Sequence, residues 1–204
     1  MTSKDNTRKF VLKQRDLLGI STREQKSRQI CDQLIDVVNR SVGSANGVTA
    51  ALQIAAYEPM RSEVDVHPIL RFAYERNWLV YLPCMAKDSE SSPACMVFFQ
   101  LDEQQVFANR PEFLDHPARP YLLSDLHDNG WREVDPNVFD VAIIPMVAFD
   151  DTLMRLGYGG GNYDRFLPML RTDCFVAGVA FEEQRIDHVP TEPHDLPLPR
   201  IFTA

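Results

Sequence analysis

A chain of 204 residues is long enough for one domain with a sizeable core and short for two. Its 45% hydrophobic and 25% charged residues are ordinary for a globular protein, and a formal net charge of −8 excludes general attraction to nucleic acid or an anionic membrane. An anionic ligand would therefore need a local site. No stretch approaches the roughly 18–20 apolar residues of a membrane span. Met1 to Lys13 is polar and lacks the apolar core of a signal peptide, so a cytoplasmic location is expected. Cys31, Cys84, Cys95 and Cys174 show no metal-ligand spacing and read as free thiols.

Lys9 to Leu18 reads as a short basic helix. Ser21 with Glu24 resembles a capping box, and Ile30, Leu34, Ile35 and Val38 then recur at helical spacing. Asn39 to Gly47 reads as a polar loop. Ala50 to Tyr57 is a continuous apolar run, which suits a strand buried on both faces. Val64 to Asn77 reads as a helix and Trp78 to Leu82 as a strand stopped by Pro83, completing a βαβ unit. Met96 to Leu101 is a third strand. Residues 102–136 show no period and read as a long loop or insertion within a single domain spanning 1–204. Phe139 to Val147 is the strongest strand signal. Asn162 to Leu170 reads as a helix and Cys174 to Phe181 as another buried strand. This alternation predicts an α/β fold: a three-layer, Rossmann-like domain with a mostly parallel central sheet flanked by helices. The loops after Tyr57, Leu82 and Val147 are then expected at one sheet edge, where such sheets bind ligands.

Four of the nine glycines fall within Gly157-Tyr158-Gly159-Gly160-Gly161, between the strongest strand and a helix. Glycines admit positive φ and let backbone N–H groups converge on an anion. No lysine follows as in a P-loop, and Asn162 stands where the dinucleotide fingerprint needs its third glycine. On spacing alone, a flexible turn is an equal reading. Arg155 and Arg165 flank the segment and could pair with phosphate oxygens or with neighbouring aspartates. Asp164 could complement the helix start or hold Mg²⁺. Glu63 could accept from a polar heterocycle or, with Asp65, cap the following helix. The five histidines lack zinc-ligand spacing, and no serine-hydrolase elbow occurs.

The run Pro145-Met146-Val147-Ala148-Phe149-Asp150, followed by Arg155-Leu156-Gly157-Tyr158-Gly159-Gly160-Gly161-Asn162-Tyr163-Asp164-Arg165, resembles the 5-formyltetrahydrofolate cyclo-ligase family. Supporting matches are Tyr57 with Glu63-Val64-Asp65, Tyr81-Leu82-Pro83, and the tail from Glu192 to Thr203. The resemblance implies ATP-driven conversion of 5-formyltetrahydrofolate to 5,10-methenyltetrahydrofolate with release of ADP and phosphate. It implies ATP and Mg²⁺ as cofactors, small molecules as the only partners, and a monomer. By resemblance, Arg155 and Tyr163 are catalytic. ATP would be bound by Arg155, Leu156, Gly157, Tyr158, Gly159, Gly160, Gly161, Asn162 and Tyr163. Glu58, Glu63, Tyr158 and Asn162 would face the folate, and Asp164 and Asp195 would hold the metal. The family has a Lys and an Arg four apart near the N-terminus. Lys4 and Arg8 have that spacing but lie far ahead of Ser21, so Lys9, or Lys13, is expected to take the ATP role. Asn162 stands where an aromatic is common. The alternative is a folate- or nucleotide-binding relative with lost or altered turnover.

Overall fold

The computed structural model describes residues 3–41, 51–192 and 195–204. The central sheet has strand order β3-β2-β1-β5-β8-β9, with a short β4 paired to β2. Its members are β1 (Gln53–Ala55), β2 (Leu79–Lys87), β3 (Cys95–Leu101), β4 (Tyr121–Leu122), β5 (Val141–Pro145), β8 (Phe175–Ala180) and β9 (Ile201–Thr203). All pairings are parallel except β2 with β3. Side chains alternate across the sheet, so adjacent residues enter different cores. Ile54, Val80 and Ile143 meet α2 (Ile20–Ser41) and α3 (His67–Glu75) on one face. Ala55, Tyr81 and Ile144 meet Phe139 and Phe166 of α7 (Asn162–Phe166) on the other. This is the expected three-layer arrangement. In α2 the buried Ile30, Leu34 and Val38 recur every fourth residue, the stripe that docks it.

A third, smaller cluster fixes α1 (Ser3–Asp16). Its Val11 packs with Val147, Ala148 and Leu156 of the hairpin β6 (Ala148–Phe149) and β7 (Arg155–Leu156). The hairpin turn is organised by Asp150. Its Oδ1 accepts from Thr152 N at 2.9 Å, Thr152 Oγ1 at 2.6 Å and Met154 N at 3.2 Å, and Oδ2 accepts from Val189 N at 2.8 Å.

Several expectations are corrected. Pro83 does not stop β2, which runs on to Lys87. Leu79 N and Tyr81 O both bond toward β1. By alternation the Pro83 nitrogen faces that same edge, past the end of β1, so no ladder bond is lost. Ser21 lies inside the first turn of α2, and Gly19 O accepts the early helical bond from Arg23 N. Helix α1 starts at Ser3, six residues before the expected Lys9. β1 is only three residues long, and part of its expected span, like most of the Asn39 to Gly47 loop, lies outside the described residues. Residues 102–136 are not one loop. They form α4 (Glu103–Phe107), α5 (Glu112–Asp115), β4 and α6 (Leu123–Asp128), and Val106, Phe113, Leu114 and Leu126 enter the core. Helices of four to six residues are too short to show a period. Among the described residues no helix is long and apolar enough to cross a membrane.

Candidate active site

A cavity of about 360 Å³ opens at the carboxyl edge of the parallel strands. The loop after β1 contributes Tyr57, Glu58, Met60 and Glu63, and β2 contributes Pro83, Cys84 and Met85. The whole run Arg155 to Asp164 lines it, with Asp195 from the tail and Lys4 and Arg8 from α1. Every residue expected at the site is therefore in the lining except Lys9 and Lys13, which are exposed on α1 and outside it. Docking of α1 through Val11 turns Lys4 and Arg8 inward instead, one helical turn apart.

The glycine run is a true backbone special. Gly159 has φ 102° and Gly161 φ 63°, whereas Gly160 is not in the left-handed region. Arg8 lies directly on it: Nε donates to Gly157 O at 2.8 Å, and a Cβ on Gly159 would sit 3.2 Å from Arg8 Cζ. Arg165 braces the other side, donating to Gly160 O at 2.9 Å and Asn162 Oδ1 at 2.7 Å. It is thus committed to the loop rather than to an aspartate. α7 has only five residues, so converging N–H groups, not a long helix dipole, would carry anion binding.

Two ion pairs border the cradle. Arg155, 6% exposed, donates from Nη2 to Asp164 Oδ1 at 2.7 Å, while its buried Nε has no hydrogen-bond partner among the described residues. Lys4 Nζ donates to Asp195 Oδ2 at 2.6 Å and Glu192 Oε2 at 2.8 Å. Burial opposes the Lys4 charge, but its hydrogen bonds to Asp195 and Glu192 outweigh it and raise its pKa. No group of three or more His, Cys, Asp or Glu side chains able to hold a metal occurs among the described residues. Asp164 and Asp195 therefore fit a Mg²⁺ ion only in company with phosphate oxygens and water, the usual way that ion is bound.

Glu63, also in the lining, is 7% exposed. Its Oε2 accepts from Met60 N at 2.8 Å, while Oε1 has no hydrogen-bond partner among the described residues. Burial raises its pKa, against the Met60 N–H, Arg15 and the nearby Tyr158 hydroxyl. Asp65, not Glu63, accepts from His67 N at the start of α3, at 3.0 Å. Glu58 is already engaged: Oε1 accepts from Arg110 Nη2 at 2.8 Å, and Oε2 lies 3.4 Å from His67 Nε2. Burial lowers the His67 pKa, but Asp65 and Glu58 override it and lift it to about 9, so the ring is cationic at neutral pH. Burial pushes the Tyr158 hydroxyl up to about 12 and raises Tyr163 further, keeping both phenols protonated. Lys4, Arg8, Arg15 and Arg110 were not assigned from sequence. The four-residue spacing of Lys4 and Arg8 was their signal, while Arg110 had none.

The fold and site together define an α/β protein with one cavity lined by a glycine-rich loop and a buried carboxylate. The chain belongs to the 5-formyltetrahydrofolate cyclo-ligase family, whose profile matches residues 1–204. It is 28% identical over 158 residues to the 5-formyltetrahydrofolate cyclo-ligase of Escherichia coli K12, covering 76% of this chain and 80% of that one. It is 28% identical over 151 residues to the Mycolicibacterium smegmatis protein of the same name, covering 74% and 72%. Two solved methenyltetrahydrofolate synthetases share the fold at 22% identity. The Mycoplasma pneumoniae structure has a TM-score of 0.70 and covers 98% of each chain; that from Aquifex aeolicus has a TM-score of 0.61 and covers 99% of this chain and 90% of its own.

Proposed function

We propose that the protein closes 5-formyltetrahydrofolate to 5,10-methenyltetrahydrofolate at this cavity, using ATP and Mg²⁺ and releasing ADP and phosphate. The observation that carries this reading is one cavity lined both by the Arg155–Asp164 loop and by Glu63, whose buried Oε1 has no hydrogen-bond partner among the described residues. A formyl oxygen is a poor leaving group. Transfer of the terminal phosphoryl group to it creates a phosphate ester, N10 attacks the formyl carbon and gives up its proton, and the oxygen departs with phosphate. The protein supplies mainly position and charge.

Each residue has a place in that division of labour. The Gly157–Gly161 N–H groups, Arg8, Lys4 and Arg155 bind the phosphates. Asp164 and Asp195 would hold a divalent cation that spreads phosphate charge. Glu63 Oε1 accepts an N–H of the reduced pterin. Tyr163, protonated and close enough to feel both Glu63 and Arg155, donates between the two ends. Glu58 braces the wall that carries Pro117 and Ala118 through Arg110. The test is to mix purified protein with 5-formyltetrahydrofolate, ATP and Mg²⁺. Methenyltetrahydrofolate, followed by its absorbance, should appear one-for-one with ADP. Binding of both substrates without ATP-dependent product would overturn turnover and leave a binding protein.

A further inference from the structure

The wall behind Glu63 holds a charge that the reaction has not used. Arg15 lies on the inner face of α1 with Val11 and is wholly buried, at 0% exposure. Nε donates to Ser62 Oγ at 3.0 Å and Nη2 to the Tyr158 hydroxyl at 2.8 Å. Ser62 in turn donates to the Asp16 carboxylate. Arg15 Nη1 has no hydrogen-bond partner among the described residues. Arg15 is not in the cavity lining, but both side chains it serves, Tyr158 and Glu63, are.

A buried guanidinium needs strong compensation. Asp16 compensates only through Ser62, whereas Tyr158 and Glu63 are cavity groups. We infer that Arg15 is a positioning residue for the folate end, fixing the Tyr158 hydroxyl and standing as the positive charge opposite Glu63. This inference rests on the assignment of Glu63 to the folate proposed above. Ser62 and Glu63 are sequence neighbours, so one helix residue grips the start of the carboxylate's turn and the glycine loop together. Folate contact would thereby depend on α1, which also carries the phosphate-binding Lys4 and Arg8.

The groups that face Glu63 can be named. They are Arg15 from α1, Tyr57 after β1, Tyr158 and Tyr163 from the glycine segment, and the Met60 N–H of its own loop. The tyrosines are neutral, so Arg15 is the cation of this set. Glu63 accepts two N–H groups only as a carboxylate. Burial already raises its pKa, and loss of Arg15 raises it more. The acid limb of kcat/KM for the folate then moves to higher pH.

The test uses Arg15→Met and Arg15→Lys in the full chain. Arg15→Met should raise the folate KM about tenfold while the ATP KM stays within about twofold, roughly the loss expected of one charge-assisted contact. Its acid limb should move up by about one pH unit or more, as expected when an opposite charge is removed. Arg15→Lys should return the limb toward wild type without fully restoring the folate KM, because an ammonium lacks the fork that reaches Ser62 and Tyr158 together. Equal rises in both KM values, or an unmoved acid limb in folded Arg15→Met, would overturn the inference. If Arg15→Met does not fold, an unchanged folate KM in Arg15→Lys overturns it instead. Glu63→Gln separates the two levels. An unchanged folate KM there removes the folate assignment itself, whereas a raised one with an unmoved Arg15→Met limb removes only the role of Arg15.

Discussion

At the cradle end of the cavity each candidate metal carboxylate already holds a cation, Asp164 with Arg155 at 2.7 Å and Asp195 with Lys4 at 2.6 Å. At the other end Glu63 keeps a buried oxygen with no hydrogen-bond partner among the described residues. Under the proposed reaction, phosphates would take over these cations and leave Asp164 and Asp195 to hold a divalent cation. A pterin would in turn supply the buried Glu63 Oε1 with a donor, the Tyr158 hydroxyl being the nearby protein group. Exchange conserves charge and gives modest affinity that falls with salt. Satisfying a buried acceptor discriminates sharply, since a ligand lacking the matching N–H leaves it unmet.

The largest expected effect breaks the exchange end. Gly159→Val places a β-branched residue at φ 102°, with its Cβ against Arg8. Strain and displacement of Arg8 should weaken ATP binding roughly a hundredfold or more, with folate binding moved far less. Calorimetric titration of each substrate, alongside a thermal melt, checks this; equal loss of both ligands would mean the two ends are not separable. Glu63→Gln tests the other end. One acceptor oxygen becomes a donor facing a donor, so the folate KM should rise roughly ten- to a hundredfold, while the ATP KM barely changes.

Asp164→Asn sharpens the exchange picture. The amide cannot balance Arg155 or bind a hard cation well, so the Mg²⁺ concentration for half-maximal rate should rise roughly tenfold. A Mg²⁺ titration unaltered from wild type would restrict Asp164 to holding Arg155. Asp150→Asn should leave the KM values of both ends nearly untouched and cost about 1–3 kcal/mol of stability at neutral pH. Burial opposes the Asp150 charge, but hydrogen bonds from Thr152, Val189 and Met154 win and lower its pKa. Its stabilisation is therefore complete above the ordinary carboxylate range and is lost as pH falls through the lowered folded value. Denaturation curves from pH 7 to pH 3 should show the gap between wild type and variant closing with acid.

The glycine segment was legible because its constraints are local: positive φ at Gly159 and Gly161 demands glycine whatever packs around it. Glu63 was legible only as an ambiguity. Both it and Asp65 precede a helix, and the geometry divides the roles, with Asp65 bonding His67 N and Glu63 turned back to Met60 N. The four-residue spacing of Lys4 and Arg8 was visible, but which turn of α1 meets the cradle was not. That register depends on Val11 docking onto the β6–β7 hairpin, a contact between segments remote in sequence. Pro83 misled for a related reason, because proline ends a strand only where its missing N–H would have met a partner.

The bond from Lys4 to Asp195 joins residues 191 positions apart. During synthesis the chain emerges from its N-terminal side, so α1 is made long before the hairpin it docks on and the carboxylate it grips. The Lys4–Asp195 bond therefore cannot form until residue 195 has left the ribosome. A nascent chain made only as far as residue 194 would hold most of the sheet, from β3 to β8, yet have no Asp195 for Lys4. If nucleotide binds as proposed, it would stabilise chains in which Asp195 has been made more than shorter ones.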